Sequence, residues 1–213
     1  WQMMTWDRIA LSGVLARMRP KISLEIGVYY GGSLSLTSQF VEKIYAIDID
    51  PETRTRFAIP ANAELIIGDS VVEIPRVLKL LEANDTPLEF VLIDADHSSD
   101  GVRRDIELVL AYQPVKPMII MAHDSGNPLC REGIQTAGWD VNPYVQSVDL
   151  DFVPGGIIEH SVSGDIGECW GGFAIAYLTP EARHGQLPIF ESARTSIRSN
   201  HYISRNLNQL PQR

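Results

Sequence analysis

The sequence predicts an α/β fold, a doubly wound and mostly parallel sheet with helices on both faces. Short apolar runs alternate with stretches of helical periodicity along the first 125 residues. The runs are predominantly apolar, as in strands buried on both faces. Strand–helix alternation at this spacing is the signature of βαβ units.

Taken in order, residues 6–18 place Trp6, Ile9, Ala10, Val14, Leu15 and Met18 at helical spacing, and Pro20 ends the segment. Five strands are expected at Ile22–Ile26, Ile44–Ile47, Glu64–Ile67, Phe90–Ile93 and Met118–Ala122. Asp50-Pro51 reads as a helix N-cap followed by proline at the first helical position. Ser70-Val71-Val72-Glu73 reads as a capping box, with Ile74, Val77, Leu78 and Leu81 as the buried stripe. Ser98, Ser99 or Asp100 caps the next helix, which buries Val102, Ile106 and Leu110 and stops before Pro114 and Pro117. Gly126 to Trp139 is a loop with room for a short helix. Ser147–Val153 and Gly172–Leu178 are two further strands, separated only by the glycine-rich stretch from Pro154 to Cys169. No crossover helix fits there, so the two are expected to be antiparallel neighbours. The division expected is an N-terminal helix (1–20), a main domain (21–180) and a polar C-terminal tail (181–213).

Composition excludes several classes. With 45% apolar and 21% charged residues, the 213-residue chain has the make-up of a folded domain. A net charge of −9 and no basic run longer than a pair, such as Arg103-Arg104, argue against nucleic acid as a partner. No apolar stretch reaches the roughly 18 residues of a membrane span, and no signal peptide is visible. Cys130 and Cys169 are too few for a disulfide framework, so reduced thiols and a cytoplasmic setting are expected. A start at Trp1-Gln2-Met3 suggests a trimmed or more distant N-terminus. A homo-oligomer is left open.

The informative stretch is Leu24-Glu25-Ile26-Gly27-Val28-Tyr29-Tyr30-Gly31-Gly32-Ser33. It follows a strand and opens a helix, where doubly wound sheets bind nucleotides. Asp48 ends the next strand, 23 residues after Glu25, where an acid typically meets ribose hydroxyls. A dinucleotide fingerprint needs glycine where Tyr29 stands, and no Gly-Lys-Ser or Gly-Lys-Thr offers a phosphate loop. The loop therefore suits a ligand with a ribose and no phosphate. S-adenosylmethionine is such a ligand, with Glu25 available to its polar or cationic part. A side chain at Gly27 is expected to block that ligand or strain the turn while leaving the fold largely intact.

Glu25-x-Gly27-x-x-x-Gly31-Gly32-Ser33 followed by Asp48 resembles the cofactor motifs of class I S-adenosylmethionine-dependent methyltransferases. The resemblance runs from about Lys21 to Arg131 and implies a Rossmann-like, seven-stranded sheet with an antiparallel last strand. It puts Glu25 and Gly27 near the methionine part and Asp48 on the ribose. Gly68-Asp69-Ser70 resembles the segment that meets adenine, with Asp69 accepting from the exocyclic amine and Ser70 beside it. Tyr29, Gly31, Ser33 and the strand-end Asp94 complete the cofactor set.

A second constellation lies at the ends of the fourth and fifth strands, Asp94-Ala95-Asp96-His97 and His123-Asp124-Ser125. In an open parallel sheet both face the same crevice. Converging carboxylates repel unless a cation or proton sits among them, and a hard divalent ion is one answer. Charging a helix start is another use for Asp96 and Asp100. The pattern resembles metal-dependent O-methyltransferases of the catechol and caffeoyl-CoA kind and, more closely, the macrocin kind. That resemblance makes Asp94, His123 and Asp124 the metal set, with magnesium or manganese as the ion, and His97 the general base for a small-molecule hydroxyl. Two positions depart from it. Ser125 stands where the catechol type has Asn, and His123 stands where the macrocin type has an acid. A histidine ligand would soften the site toward manganese, iron or zinc; otherwise His123 stands behind the ligands. The same pattern resembles the cephalosporin hydroxylase family, a metal-dependent oxidoreductase alternative, and a cofactor-binding module without turnover is the third reading. The glycine-rich stretch from Pro154 to Trp170 is a candidate cover for the pocket. Trp139, Tyr144 and Trp170 are candidate walls, and His160, His184 and His201 are expected to be solvated.

Overall fold

The computed structural model of the chain describes residues 3–158 and 167–191. Eight strands form one sheet in the order β10-β6-β9-β5-β4-β1-β2-β3. They are β1 (Ile22–Ile26), β2 (Lys43–Asp48), β3 (Ala63–Ile67), β4 (Phe90–Ile93), β5 (Met118–His123), β6 (Val145–Val153), β9 (Phe173–Leu178) and β10 (Ile189–Phe190). The five strands from β3 to β5 run parallel. β9 inserts between β5 and β6 and is antiparallel to both. A separate pair, β7 (Gly156–Ile157) with β8 (Cys169–Trp170), stands apart from the sheet.

Both faces of the sheet are covered: its central strands are mostly apolar, and the two polar side chains of β1, Ser23 and Glu25, are buried with them. Leu24, Ile26, Val91 and Ile93 face α4 (Ser70–Ala83), α5 (Ser99–Leu110) and α6 (Pro128–Thr136) in the largest cluster. The alternate residues Phe90, Leu92, Met121 and Phe173 face α1 (Thr5–Met18) through Leu11 and Leu15. On the β2 side, Leu34 of α2 (Gly32–Thr37) packs with Ala46 and Leu65. Among the described residues no helix is long and apolar enough to cross a membrane.

The fold class is as the sequence predicts, with four differences of detail. The sheet has eight strands, because Ile189–Phe190 pairs with β6 at the edge. Two residues leave no periodicity to read. The buried stripe of α1 is Asp7, Leu11 and Leu15, whereas Trp6 and Ile9 are 47% and 68% exposed. The N-cap of α4 is Asp69, whose side chain accepts from the Val71 amide, and not Ser70. After β2, Asp50 opens a turn by accepting from the Glu52 amide, and the short α3 (Thr53–Arg56) starts beyond it.

Candidate active site and cofactor cleft

The carboxyl ends of β1 to β5 open onto a cleft of about 1020 Å³, lined along one side by Gly27, Val28, Tyr29, Gly32, Ser33 and Asp48. The loop after β1 is held in shape by left-handed backbone at Gly27, Tyr29 and Gly31 (φ 87°, 52° and 69°). Successive amides in such a turn converge into an anion-binding concavity. Here the anion is the protein's own. Asp48 Oδ2 accepts from the Val28 and Tyr29 amides at 3.0 and 2.8 Å, and its Oδ1 accepts from the Asp50 amide at 2.8 Å. The amides that would meet a pyrophosphate in a dinucleotide site are thereby spent. A carboxylate has about four acceptor sites, so Asp48, which accepts from three amides, keeps one free at the cleft.

The other predicted cofactor residues divide. Ser33 and Gly27 line the cleft, as do Tyr29, Asp69, Ser70 and Asp94. Glu25 lies behind them, fully buried, accepting from the Ser33 hydroxyl at 2.7 Å. Burial pushes its carboxyl up to about 8, so at neutral pH it is largely uncharged and unsuited to pairing with an ammonium. Gly31 also stays off the cleft. A Cβ there would sit 2.4 Å from the Phe57 ring, so glycine serves loop packing. Asp69 Oδ1 is committed to capping α4, and the Ser70 hydroxyl donates to Asp105 at 2.7 Å.

Across the cleft, four titratable side chains meet. Asp94 Oδ1 lies 3.0 Å from His123 Nδ1, which lies 3.4 Å from Asp124 Oδ2. His97 Nε2 is 3.1 Å from Asp124 Oδ2 and 3.8 Å from Asp94 Oδ1. Asp124 adopts a left-handed backbone (φ 56°) at the end of β5, a conformation that carries strain in a non-glycine residue. That turn points its carboxylate at His97, and Oδ1 is anchored by the Gly171 amide at 2.7 Å. A fifth residue closes the group. Asp7 of α1, fully buried, lies 3.1 Å from His123 Nε2 and accepts from the Gly172 amide at 3.1 Å. The sequence reading missed Asp7; its signal was an acid in register with Leu11 and Leu15 on a buried helix face.

The charges are mutually dependent. Hydrogen bonding to Asp124 and then Asp94 outweighs burial and raises His97 to about 10. Burial alone would lower His123, but the charge of Asp94 and hydrogen bonds to Asp124, Asp7 and Asp94 raise it well above its ordinary value. Burial would raise Asp124, yet the two imidazoles hold it well below the usual carboxylate range. Both imidazoles are therefore held protonated among the carboxylates at neutral pH.

The same donors also fit a metal. Asp94, His123 and Asp124 each offer a ligand atom within 4.8 Å of the others. Ligands about 2.0–2.2 Å from a tetrahedral ion are separated by about 3.4 Å, near the 3.0 and 3.4 Å from His123 Nδ1 to Asp94 and Asp124. Asp7 on the far nitrogen of His123 matches the carboxylate–histidine arrangement that orients metal-bound imidazole.

The remaining predicted walls separate in the same way. Trp170 lines the cleft with its ring edge-on to His97, centroids 5.4 Å apart, joined by Ile158 and Gly171. Trp139 is instead a core residue whose indole donates to the Ile134 carbonyl at 2.7 Å, and neither it nor Tyr144 reaches the cleft. His184 is exposed, whereas His160, His201 and the middle of the proposed cover, 159–166, lie outside the described residues.

Residues 24–125 match the model of a methyltransferase-domain family. No curated protein matches the chain. Among solved structures the chain is similar to cofactor-bound Rv0187 from MTB, with 15% identity, TM-score 0.59 and coverage of 84% of this chain and 82% of that one. It is also similar to an O-methyltransferase from Bacillus cereus in complex with SAH, with 15% identity, TM-score 0.58 and coverage of 82% and 81%. At that identity the likeness is one of fold. What the chain shares with methyltransferases is thus a stretch that matches a methyltransferase-domain model and a common fold.

One expectation follows directly for Asp48. Asp48→Ala removes a ribose acceptor and frees two loop amides, so the affinity for S-adenosylhomocysteine should fall by about 2–3 kcal/mol, as expected for hydrogen bonds to a charged group. Calorimetry showing unchanged affinity would mean that the ribose lies elsewhere.

Proposed function

We propose that the protein transfers a methyl group from S-adenosylmethionine to a hydroxyl oxygen of a small molecule. The observation that carries this reading is that one cleft joins the Asp48-held loop to the His97–Asp124–Asp94–His123 group. The cofactor supplies an activated methyl on a sulfonium. Asp48 and the loop fix the ribose, Ser33 and Gly27 shape the neighbouring wall, and His97 faces the acceptor. Catalysis rests on aligning the acceptor oxygen behind the methyl and on removing its proton, the role of His97 once it has lost its own. The net charge of −9 supports a small-molecule acceptor over nucleic acid. The unpaired Cys130 and Cys169 support a reducing, cytoplasmic setting.

The test is turnover with a panel of phenolic, catecholic and sugar hydroxyl acceptors. Methylated product and S-adenosylhomocysteine in equal amounts are expected. A hydroxylated product would favour the oxidoreductase alternative, and cofactor binding without any product would leave a binding module.

A second reading adds a divalent ion, supported by the clustering of Asp94, His123 and Asp124 with Asp7 behind them. Those three would hold the ion, which would supply a Lewis acid beside the acceptor oxygen. Chelation should then abolish turnover, with magnesium or manganese restoring it, and Asp124→Asn should lose calorimetric manganese binding. Full activity in EDTA would leave the two imidazolium ions as the site's only compensating charge.

A further inference from the structure

We infer that Asp105, on α5, is the residue that recognises the adenine amine of the cofactor. The inference rests on the methyltransferase reading above and extends it to a residue outside its motifs. Asp105 stands on the buried stripe of α5, between Val102 and Ile106, where helical periodicity calls for an apolar side chain. It is 0% exposed, yet it borders the cleft together with Gly68, Asp69, Ser70 and Arg104. The Ser70 hydroxyl donates to Oδ1 at 2.7 Å, whereas Oδ2 has no hydrogen-bond partner. A buried acceptor left unpaired is costly, and Asp105 stands in the wall of the cleft.

Position selects the donor. Asp48 marks the ribose, and His97 with Asp124 marks the reacting end. The base therefore lies on the remaining side, against the turn after β3 and the start of α5. Adenine presents its exocyclic amine there as an N–H donor. The motif acid Asp69 is less suited, because it is exposed and its Oδ1 caps α4 through the Val71 amide. Burial raises the Asp105 carboxyl above its ordinary range, and an arriving N–H donor would offset that penalty.

The experiment compares two ligands on the full chain by calorimetry. One is S-adenosylhomocysteine. The other is S-inosylhomocysteine, in which a carbonyl oxygen replaces the amine. The unaltered protein should prefer the adenosyl ligand by roughly 100-fold or more, since a site built to accept a hydrogen bond rejects a ligand that lacks the donor. In Asp105→Asn the amide can donate to the carbonyl, so the preference should shrink below about 5-fold or invert. Circular dichroism checks that the variant is folded, and the wild-type ratio needs no variant at all. Equal binding of both ligands by the wild type would overturn the inference. So would a preference that persists in folded Asp105→Asn, or one lost in Asp69→Asn instead. If neither ligand binds, the methyltransferase reading itself fails.

Discussion

Gly27→Ala and Gly27→Val should each unfold the end of the β1–β4 seam and abolish cofactor binding together. A Cβ at Gly27 would lie 2.0 Å from the Asp94 carbonyl oxygen, 2.5 Å from its carbon and 2.7 Å from Ala95 Cα. All three atoms are backbone, so no rotamer change relieves the contact. Neither side can drift, because the Gly27 amide is bonded to Ile47 O at 2.9 Å and the Asp94 amide to Ile26 O at 2.8 Å. The positive φ of 87° adds about 1–2 kcal/mol for any L side chain. Strain plus clash should exceed about 3 kcal/mol, a large part of the 5–15 kcal/mol that holds a domain together. At about 2–4 °C per kcal/mol for a chain of this size, Tm should fall by roughly 6–12 °C or more. From sequence alone, a side chain at Gly27 is expected to block the ligand or strain the turn in a largely intact fold. The structure moves the damage, since the missing side chain points at β4 and not into the cleft. A Gly27→Ala protein that melts and binds S-adenosylhomocysteine like the wild type would refute this account.

The strands were legible because a strand buried on both faces is mostly apolar, as Phe90–Ile93 is throughout and Leu24–Ile26 is apart from Glu25. The glycine loop was legible because Tyr29 stands where a dinucleotide site needs glycine. The occupancy of the loop amides by Asp48 was not, because it depends on which way a strand-end carboxylate turns. The walls of the cleft were half legible. Nothing in the sequence separates Trp139 from Trp170; the turn after α6 sends one to the core, and the β7–β8 pair brings the other to His97. The acids on helices were missed for a common reason. Apolar periodicity marks the buried face by counting hydrophobic residues, so an acid in that register is skipped. Asp7 with Leu11 and Leu15, and Asp105 with Val102, Ile106 and Val109, are two cases in one chain. A buried acid needs a partner, and here one partner is His123 and the other is Ser70.

His97→Ala should lower kcat by roughly 10²–10⁴-fold, the usual share of a general base, while the affinity for S-adenosylhomocysteine holds. His97 touches the cleft from the side of Trp170 and not from the cofactor loop, so its loss should separate chemistry from binding. The pH dependence has a fixed sign. With Asp124 and Asp94 against it, His97 keeps its proton up to about 10, and a protonated imidazole cannot accept another. Turnover that relies on it should therefore rise with pH toward that value and level off above it. His97→Ala should flatten this limb. Asp124→Asn should instead move it to lower pH, because the first and largest cause of the raised value is the hydrogen bond to Asp124. A divalent ion held by Asp94 and Asp124 would move the limb in the same direction, since their charge would be spent on the ion. Measuring kcat against pH for the best acceptor, with and without manganese, separates these cases. A His97→Ala enzyme that retains both its turnover and its alkaline rise would remove His97 from the chemistry and leave alignment of the acceptor as the main source of rate.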